Sequence, residues 1–367
     1  MRIFYDGVIF TRQQFGGINR IYERLATELP TVAPDSVLRT FRFPSTLDSH
    51  PFLTQSRYLI PKLGGVLREL DERIFLPRAV NKFDPDIYHT SYFRLPADIN
   101  APSVVTVYDM IHERFADELG NAEATSAMKQ ASVERADHVI AISKCTKDDL
   151  VKYFDIAPEK VSVIHLAADP VFEPVDDSTV SRLRAEYDLP EQFLLYVGRR
   201  GGYKNFDTLL EAYADWEYAE DVSLVCVGGG EKWSNAEAET IRQANLEEST
   251  QLITWVDDNE LRSFYTAATA FVYPSRYEGF GIPPLEAMQC ETPVVASNVS
   301  AIPEVVGEAG TYVDPDDPAD IRRALSEVIL DPEYRELLVE RGLRQAKAFD
   351  WQQTTRQTYQ VYENIHD

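Results

Sequence analysis

Short apolar segments alternate with helix-like segments along nearly the whole chain, and this alternation constrains the fold more than any other feature. Eleven segments are rich in Val, Ile and Leu on both faces, as the buried strands of a parallel sheet must be. They are residues 2–10, 37–43, 86–92, 103–108, 138–143, 161–166, 193–198, 222–227, 250–256, 270–274 and 293–297. The pattern predicts an α/β protein built from βα units.

Capping residues mark the starts of several helices. Ser143 precedes a helix predicted over 144–153, and Asp258 precedes a later one. Asp317 and Asp331 each stand before a proline, which suits the first position of a helix.

The chain divides into two predicted domains. Its 367 residues exceed the usual size of a single core, and a Pro- and Asp-rich segment at about 168–190 separates two runs of βα units. We expect a Rossmann-like, doubly wound domain over 1–171 and another over 172–350. A terminal helix over 351–367 can pack back on the first of them. Ligands of open α/β sheets bind at the carboxyl ends of the strands, so the expected ligand site is a cleft between the domains.

Composition excludes several classes of function. The net charge is −24, with a balance of +2 over residues 1–100 and −26 over the rest. That acidity opposes nonspecific binding of nucleic acid. No apolar run is long enough to span a membrane, and the N-terminus lacks the pattern of an export signal. Three cysteines without a CxxC pair or nearby histidine favour a reducing compartment, such as the cytoplasm, over a disulfide framework or zinc site.

The most informative stretch is 273–303, in which a predicted strand leads through a loop into a helix. Glu278 is expected on the loop and Glu286 in the first turn of the helix. Gly279 and Gly281 allow the backbone to approach a ligand, and the start of the helix offers N–H groups to a diphosphate. Carboxylates in these positions suit the diol of a sugar or ribose. A tight turn, with Glu286 favoured by the helix dipole, is the alternative.

A second stretch, 197–205, also follows a predicted strand and precedes a helix. Arg199, Arg200 and Lys204 cluster there, in a half of the chain that is otherwise acidic. Basic groups at the carboxyl end of a strand suit a charged leaving group such as a nucleoside diphosphate. The alternative is an ordinary solvated loop.

Together, the two stretches strongly resemble the retaining glycosyltransferases of family 4, which have the GT-B fold. VGRRGGYKN is similar to that family's basic loop, and Glu278 and Glu286 match its Glu-x7-Glu motif. The resemblance covers most of the chain, because FGGINRIYERLATEL looks like the family's first loop and helix. AISKCTKDDL and VSVIHLAADPVF look like the end of its N-terminal domain.

The resemblance implies roles for the matching residues of the C-terminal domain. Glu278 would contact hydroxyls of the transferred sugar, and Glu286 would bind the ribose of the donor. Backbone N–H groups of Phe280 and Gly281, on the loop that Gly279 opens, would assist at the diphosphate.

The basic loop and the N-terminal glycines receive roles in the same way. Arg200 or Arg199, together with Lys204, would neutralise the departing diphosphate. Gly16 and Gly17 would let the N-terminal loop approach the donor phosphates or the acceptor. Fixed cations make a divalent metal unnecessary in this family, so no metal and no cofactor is expected.

The match is weaker where many relatives have His-Asp and this chain has Tyr108 followed by Asp109. Asp109 is expected to contact the sugar or the acceptor, with helix capping as the alternative. His112 is a second candidate for the donor site, unless it is an exposed loop residue without a role. His89 ends a predicted strand, where it either faces the cleft or lies in the core.

Residues 55–82 contain six Lys and Arg and three Asp and Glu among apolar residues. One interpretation is an amphipathic surface that contacts the inner face of the membrane or a lipid-linked acceptor. The alternative is an ordinary helical hairpin packed on the first domain.

The resemblance therefore implies a metal-independent, retaining hexosyltransferase of the cytoplasm. It would move a hexose from a nucleotide sugar to a glycan or lipid-linked saccharide, with mannose from GDP-mannose as the leading choice and UDP-linked sugars next. A non-catalytic glycan-binding relative and a nucleotide-sugar 2-epimerase are alternatives. A nicotinamide-dependent oxidoreductase is disfavoured. Its GxGxxG motif, if it began at Gly228, would need a third glycine at position 233, where this chain has Trp233.

Overall fold

The computed structural model describes residues 1–12, 17–41, 53–55 and 65–366, and the side chains of 11–12, 53–55 and 65–72 lie outside that description. The chain forms two compact units. The first comprises Met1–Leu166 together with Asp350–Asp367, and the second comprises Ala167–Phe349.

The first unit is a parallel α/β unit. Its strands are β1 Arg2–Tyr5, β2 Val37–Thr40, β3 Leu53–Gln55, β4 Ile87–Thr90, β5 Ser103–Val107, β6 His138–Ala141 and β7 Val161–Val163. Its helices are α1 Ile9–Arg12, α2 Gly17–Val32, α3 Gly65–Phe83, α4 Ile111–Arg114, α5 Ala122–Arg135, α6 Lys144–Phe154 and α15 Trp351–His366, with 3-10 turns at Ala116–Glu118 and Pro158–Lys160. The sheet has the order β3-β2-β1-β4-β5-β6-β7, and its strands are parallel.

The second unit repeats this plan. Its strands are β8 Phe193–Val197, β9 Ser223–Val227, β10 Thr250–Ile253, β11 Ala270–Tyr273, β12 Val294–Ser297 and β13 Gly310–Val313. Its helices are α7 Asp177–Tyr187, α8 Phe206–Ala214, α9 Asn235–Gln243, α10 Asp258–Ala267, α11 Ile282–Gln289, α12 Ile302–Val306, α13 Pro318–Leu330 and α14 Pro332–Ala346, with 3-10 turns at Gly202–Lys204 and Gly307–Ala309. The order β10-β9-β8-β11-β12-β13 is again parallel.

In both sheets the chain starts in the middle and winds outward first to one side and then to the other. The winding reverses between β1 and β4 in the first unit and between β8 and β11 in the second. Loops that leave the carboxyl ends of such neighbouring strands diverge and leave a crevice, where ligands of open α/β sheets bind. The predicted doubly wound α/β class is therefore observed in each unit.

All eleven predicted strands are present, but each is shorter than predicted. The largest difference is at β1, where the segment predicted to end at residue 10 leaves the sheet after Tyr5. Gly7 has a φ of 60° and turns the chain into α1. Two further strands, β3 and β13, are absent from the prediction.

The predicted helix starts agree with the structure to within one residue. The side chain of Ser143 accepts a hydrogen bond from the amide of Thr146, and Asp317 and Asp331 cap α13 and α14 in the same manner. For α10 the capping residue is Asp257 instead of Asp258, since Asp257 forms a capping box with Glu260.

The second unit begins at Ala167, five residues before the predicted boundary at 172. The difference has a packing cause. The buried ring of Phe172 makes an edge contact with Tyr265 of α10, with 5.9 Å between ring centroids. The short segment after Leu166 is therefore already part of the second core.

The terminal helix α15 is joined to the first unit by buried polar contacts. The hydroxyl of Tyr362 lies 3.1 Å from that of Tyr5 and 2.6 Å from Nδ1 of His89, whose Nε2 lies 2.8 Å from Oγ1 of Thr106. His89 is fully buried, and burial lowers its pKa to about 3. Of the two interpretations of His89, the core histidine is correct and the cleft-facing one is wrong.

Part of the segment 55–82 lies in α3. In its described portion, Leu76, Val80 and Phe83 are buried against Phe4 and other core residues. This supports the interpretation of a helix packed on the first unit, while residues 56–64 lie outside the described residues. No helix in the described ranges combines the length and the apolar character that crossing a membrane requires.

Candidate functional site

The candidate site of the second unit is formed by two loops that leave the neighbouring strands β8 and β11. Hydrogen bonds join the loops directly. The Asn205 side chain donates to the carbonyl of Pro274 over 3.0 Å, and the amide of Arg276 donates to the carbonyl of Tyr203 over 2.8 Å. Asn205 is buried and has a φ of 58°, a left-handed conformation that asparagine tolerates better than most residues. The two loops consequently hold a fixed relation to each other.

At the junction of these loops, Lys204 and Glu278 form an ion pair. Lys204 Nζ lies 2.7 Å from Glu278 Oε1, and the two side chains are 19% and 10% exposed. The ammonium group also lies 5.4 Å from the ring centroid of Tyr273. Burial, and next the neighbouring Glu278, raise the pKa of Tyr273 well above its usual value, so that this phenol stays neutral. Lys204 is therefore the cation of this junction, and its partner is the first glutamate of the motif.

Glu286, the second glutamate of the motif, is the fifth residue of α11, so the prediction that it lies in the first turn of the helix is wrong. Its side chain is buried, and the hydroxyl of Tyr265 donates to Oε2 over 3.1 Å. The preceding Gly281 caps the helix with a φ of 124°, a conformation that L side chains rarely adopt. Gly279 and Phe280 lie on the loop between Glu278 and this cap, so the amides of that loop lead directly into the start of the helix.

The two arginines of the basic loop lie in different environments. All three nitrogen positions of the Arg200 guanidinium donate within the protein: Nε to Glu237 over 3.0 Å, Nη1 to the carbonyl of Gly228 over 2.9 Å and Nη2 to that of Lys232 over 2.7 Å. The Arg200 side chain is 4% exposed. Arg199 is exposed, and its carbonyl is held by the hydroxyl of Tyr196 over 2.6 Å. Arg200 therefore joins the loops after β8 and β9, while Arg199 faces solvent.

The glycines at 228–230, considered above for a nicotinamide site, have a packing explanation. Gly229 has a φ of 80°, and a Cβ there would lie 2.8 Å from the carbonyl oxygen of Gly198 and 3.0 Å from the amide of Arg200. Glycine at this position lets the loop after β9 pack against the loop after β8.

In the first unit, Asp109 follows β5 and is half-buried. Its Oδ1 accepts a hydrogen bond from the amide of Ile111 over 3.1 Å, and its carbonyl accepts one from the buried Lys129 over 2.9 Å. The first of these contacts closes a local turn before α4, whose N-cap residue is Met110 instead of Asp109. It leaves the predicted sugar contact as a proposal.

His112, on α4, is half-buried, and its Nδ1 has no hydrogen-bond partner within the described part of the chain. Burial, and next the charge of Lys129, lower the pKa of His112. The imidazole is consequently neutral near pH 7, and one of its nitrogens can accept a hydrogen bond.

The roles predicted for the two N-terminal glycines stay predictions. Gly16 lies outside the described residues. Gly17 is the exposed first residue of α2, and a Cβ there would meet nothing within 4 Å. In addition, no group of three or more His, Cys, Asp or Glu side chains in the described ranges is placed to hold a metal ion.

Asp6 is a residue that the sequence analysis missed. It is fully buried at the carboxyl end of β1, and its Oδ1 accepts hydrogen bonds from the amides of Val8 and Ser91 and from the hydroxyl of Ser91. Burial raises the pKa of Asp6. Asp6 thus connects the two strands between which the winding of the first sheet reverses. The Asp6-Gly7 pair is a turn signal, but the prediction placed it inside a strand.

Comparisons with known proteins cover nearly the whole chain. Residues 15–172 match Glycosyltransferase Family 4, and residues 181–345 match Glycosyl transferases group 1. The O-antigen chain mannosyltransferase B of Escherichia coli is 31% identical over 301 residues, which cover 79% of this chain and 78% of that protein.

Solved structures show the same fold at lower identity. Sucrose-phosphate synthase from Thermosynechococcus elongatus has a TM-score of 0.80 and 24% identity, covering 100% of this chain and 99% of that one. Anabaena Alr3699/HepE in complex with UDP-glucose has a TM-score of 0.78 and 17% identity, with 100% of both chains covered. The predicted GT-B fold of two Rossmann-like units is confirmed by these likenesses.

Proposed function

The chain belongs to glycosyltransferase family 4, and from that premise we propose that it is a retaining hexosyltransferase whose second unit binds a nucleotide-sugar donor. The observation that carries the proposal is the Lys204–Glu278 pair, held at the crevice between β8 and β11 with Glu286 on the following helix. The proposal is supported by the position of this ion pair at a switch point, where ligands of open α/β sheets bind, and by the helix that follows the Glu278 loop.

Each group has a proposed task. Lys204 and the exposed Arg199 balance the charge of the diphosphate, and the amides of Phe280 and Gly281 donate to it. Arg200 is not given this task, because its guanidinium is already bonded to Glu237 and two carbonyls. Of the two arginines that the sequence offers for the diphosphate, Arg199 is therefore the proposed one.

Two carboxylates recognise the hydroxyl groups of the donor. Glu278 accepts hydrogen bonds from the transferred sugar, and Glu286, held by Tyr265, accepts them from the ribose. Asp109 of the first unit is a proposed contact of the sugar or the acceptor. His112 is a proposed contact of the donor.

The reaction exchanges one bond to the anomeric carbon for another. The bond from that carbon to the leaving phosphate oxygen breaks, and the acceptor oxygen attacks from the same face. The acceptor's proton passes to the departing diphosphate, so no separate catalytic base is needed. The positive groups stabilise negative charge as it develops on the leaving group. No metal ion or cofactor takes part in this proposal.

The leading donor is GDP-mannose, and the acceptor is a glycan or lipid-linked saccharide. The support for mannose is the E. coli O-antigen mannosyltransferase at 31% identity. A UDP-linked sugar is the second candidate, favoured by the UDP-glucose complex of Alr3699/HepE. Contact with the inner face of a membrane through residues 55–82 stays a prediction.

Two measurements test the proposal. A nucleoside diphosphate present at about 100 times its dissociation constant should stabilise the protein by about 2.7 kcal/mol, and comparison of GDP with UDP identifies the base. Transfer from GDP-mannose or a UDP-hexose is then followed by NMR, and the α-linkage of the donor should be kept in the product. A β-linked product contradicts the retaining mechanism, and absence of both binding and transfer contradicts the function.

A further inference from the structure

Ser300, in the loop after β12, makes a direct contact with the candidate site of the second unit. The backbone amide of Glu278 donates to the hydroxyl oxygen of Ser300 over 3.0 Å. Glu278 follows β11, and in the sheet β11 lies between β8 and β12. Glu278 is therefore held from two sides, with its carboxylate bonded to Lys204 of the β8 loop and its amide bonded to Ser300 of the β12 loop.

Ser300 has a backbone conformation that favours glycine. Its φ is 56°, in the left-handed region where a Cβ crowds the backbone. The turn around it is fixed, because the amide of Ile302 donates to the carbonyl of Val299 over 3.3 Å and the amide of Asn298 donates to the carbonyl of Val313 over 3.0 Å. A glycine would fit this turn without the steric cost, but it would bring no hydroxyl group.

The backbone around Glu278 has few other restraints. Gly279 and Gly281 follow it, and glycine has a wider range of backbone conformations than any other residue. On the other side, the amide of Arg276 donates to a carbonyl of the β8 loop over 2.8 Å, two residues before Glu278. The contact with Ser300 adds a fixed point at Glu278 itself. Because a side chain moves with its backbone, this contact sets where the carboxylate lies.

We propose that Ser300 is a positioning residue for Glu278, whose carboxylate it holds in place for the hydroxyl groups of the transferred sugar. The proposal rests on the function proposed above, from which the task of Glu278 is taken. Such preorganisation lowers the cost of binding. The steric cost of the positive φ is a cost to folding, whereas the hydroxyl group benefits binding, so substitutions can separate the two.

Two substitutions provide this separation. Ser300→Gly removes the hydroxyl group and relieves the backbone, whereas Ser300→Ala removes the hydroxyl group and keeps the Cβ. Binding of GDP, UDP, GDP-mannose and UDP-glucose to the full chain is measured by calorimetry. For the nucleotide sugar that the wild type binds best, we expect both variants to weaken binding at least tenfold. The affinity for the matching nucleoside diphosphate, which lacks the sugar, should stay within twofold.

Melting temperatures establish that the loss of binding is not a loss of fold. Ser300→Gly should melt within about 3 °C of the wild type, because the relieved backbone offsets the lost hydrogen bond. Glu291→Gly is the matched control. Glu291 also has a positive φ, of 61°, and lies exposed directly after the C-cap of α11. This control should leave every measured affinity within twofold of the wild type.

A double variant distinguishes positioning from a merely structural role. If Ser300 acts only through Glu278, adding Ser300→Gly to Glu278→Ala should change the affinity for the nucleotide sugar by less than a further twofold. If Ser300 supports the loop in general, the two losses should instead add. An additive loss therefore refutes the positioning role.

Two further results would overturn the proposal. One is that Ser300→Ala and Ser300→Gly bind the nucleotide sugar as tightly as the wild type does. The other is that they weaken the nucleoside diphosphate and the nucleotide sugar equally. Both results leave the proposed function standing, since the wild type still binds its donor. A wild-type chain that binds none of the four nucleotides contradicts the proposed function, and the role of Ser300 with it.

Discussion

Lys204 Nζ and Glu278 Oε1 lie 2.7 Å apart, although 73 residues separate them along the chain. The contact exists because β8 and β11 are neighbours in the sheet, and because Asn205 joins the two loops through a buried hydrogen bond to Pro274. The structure thus pairs the cation proposed for the diphosphate with the carboxylate proposed for the sugar. A bound donor would insert its phosphate and hydroxyl groups beside groups whose positions are already set.

Replacing Lys204 by alanine should reduce transfer by about 10²–10³-fold, because one fixed charge is lost where the leaving group develops its own. The measurement is kcat for hexose transfer, with circular dichroism as a check of folding. Arg242→Ala is the matched control, since it removes an exposed ion pair with Glu239 in the same unit. Comparable rates for Lys204→Ala and the control would exclude Lys204 from the reaction.

The neighbouring arginines should respond differently to alanine. Arg200→Ala removes the partner of the buried Glu237 and should destabilise the second unit by about 3–5 kcal/mol, measured by urea unfolding. Arg199→Ala should change stability by no more than about 0.5 kcal/mol while weakening nucleoside diphosphate binding about tenfold. If Arg199→Ala is the destabilised variant and Arg200→Ala the one with weakened binding, the assignment is reversed.

Gly229→Ala should destabilise the second unit by more than about 1 kcal/mol, because the added Cβ meets the Gly198 carbonyl and the backbone has a positive φ. Such a loss lowers the unfolding temperature by about 2–4 °C or more. Gly120→Ala serves as the control, since a Cβ there meets nothing within 4 Å. An unchanged melting temperature in Gly229→Ala would show that the two loops do not pack as described.

His89 should make the first unit less stable in acid. Burial lowers the pKa of His89 from 6.5 to about 3, so between these values the unfolded chain binds a proton that the folded chain does not. Stability is therefore lost as the pH falls below 6.5, by about 1.4 kcal/mol per pH unit from this group. Denaturant unfolding at pH 7.5, 6 and 5 should show a shallower pH dependence for His89→Gln than for the wild type. Parallel curves for the two proteins would contradict a buried neutral histidine.

The fold was largely predictable because buried parallel strands require continuous Val, Ile and Leu. All eleven predicted strands exist, and three of the four predicted caps fall on the predicted residue. The boundaries were less accurate, since apolar residues continue past the last sheet hydrogen bond, as Val8 and Ile9 do after β1. The strand β13, GTYV, is too short and too mixed to stand out.

The sequence indicates which loops carry the candidate residues, but it does not indicate the contacts that those residues make. The spacing of Glu278 and Glu286 puts the first glutamate on the loop before α11 and the second at the fifth residue of that helix. The bond between Arg200 and Glu237 could not be predicted. Glu237 lies on a helix 37 residues away in the chain, and no local pattern around Arg200 indicates the contact. The capping-box glutamate of α9 turns out to be the partner of that arginine.

The central claim is tested most directly by a crystal structure of the chain with the nucleoside diphosphate that stabilises it best. We predict Lys204 Nζ within about 3.2 Å of a diphosphate oxygen, and Glu286 within the same distance of a ribose hydroxyl. A nucleotide bound elsewhere, with Lys204 and Glu286 in contact only with protein, would contradict the account.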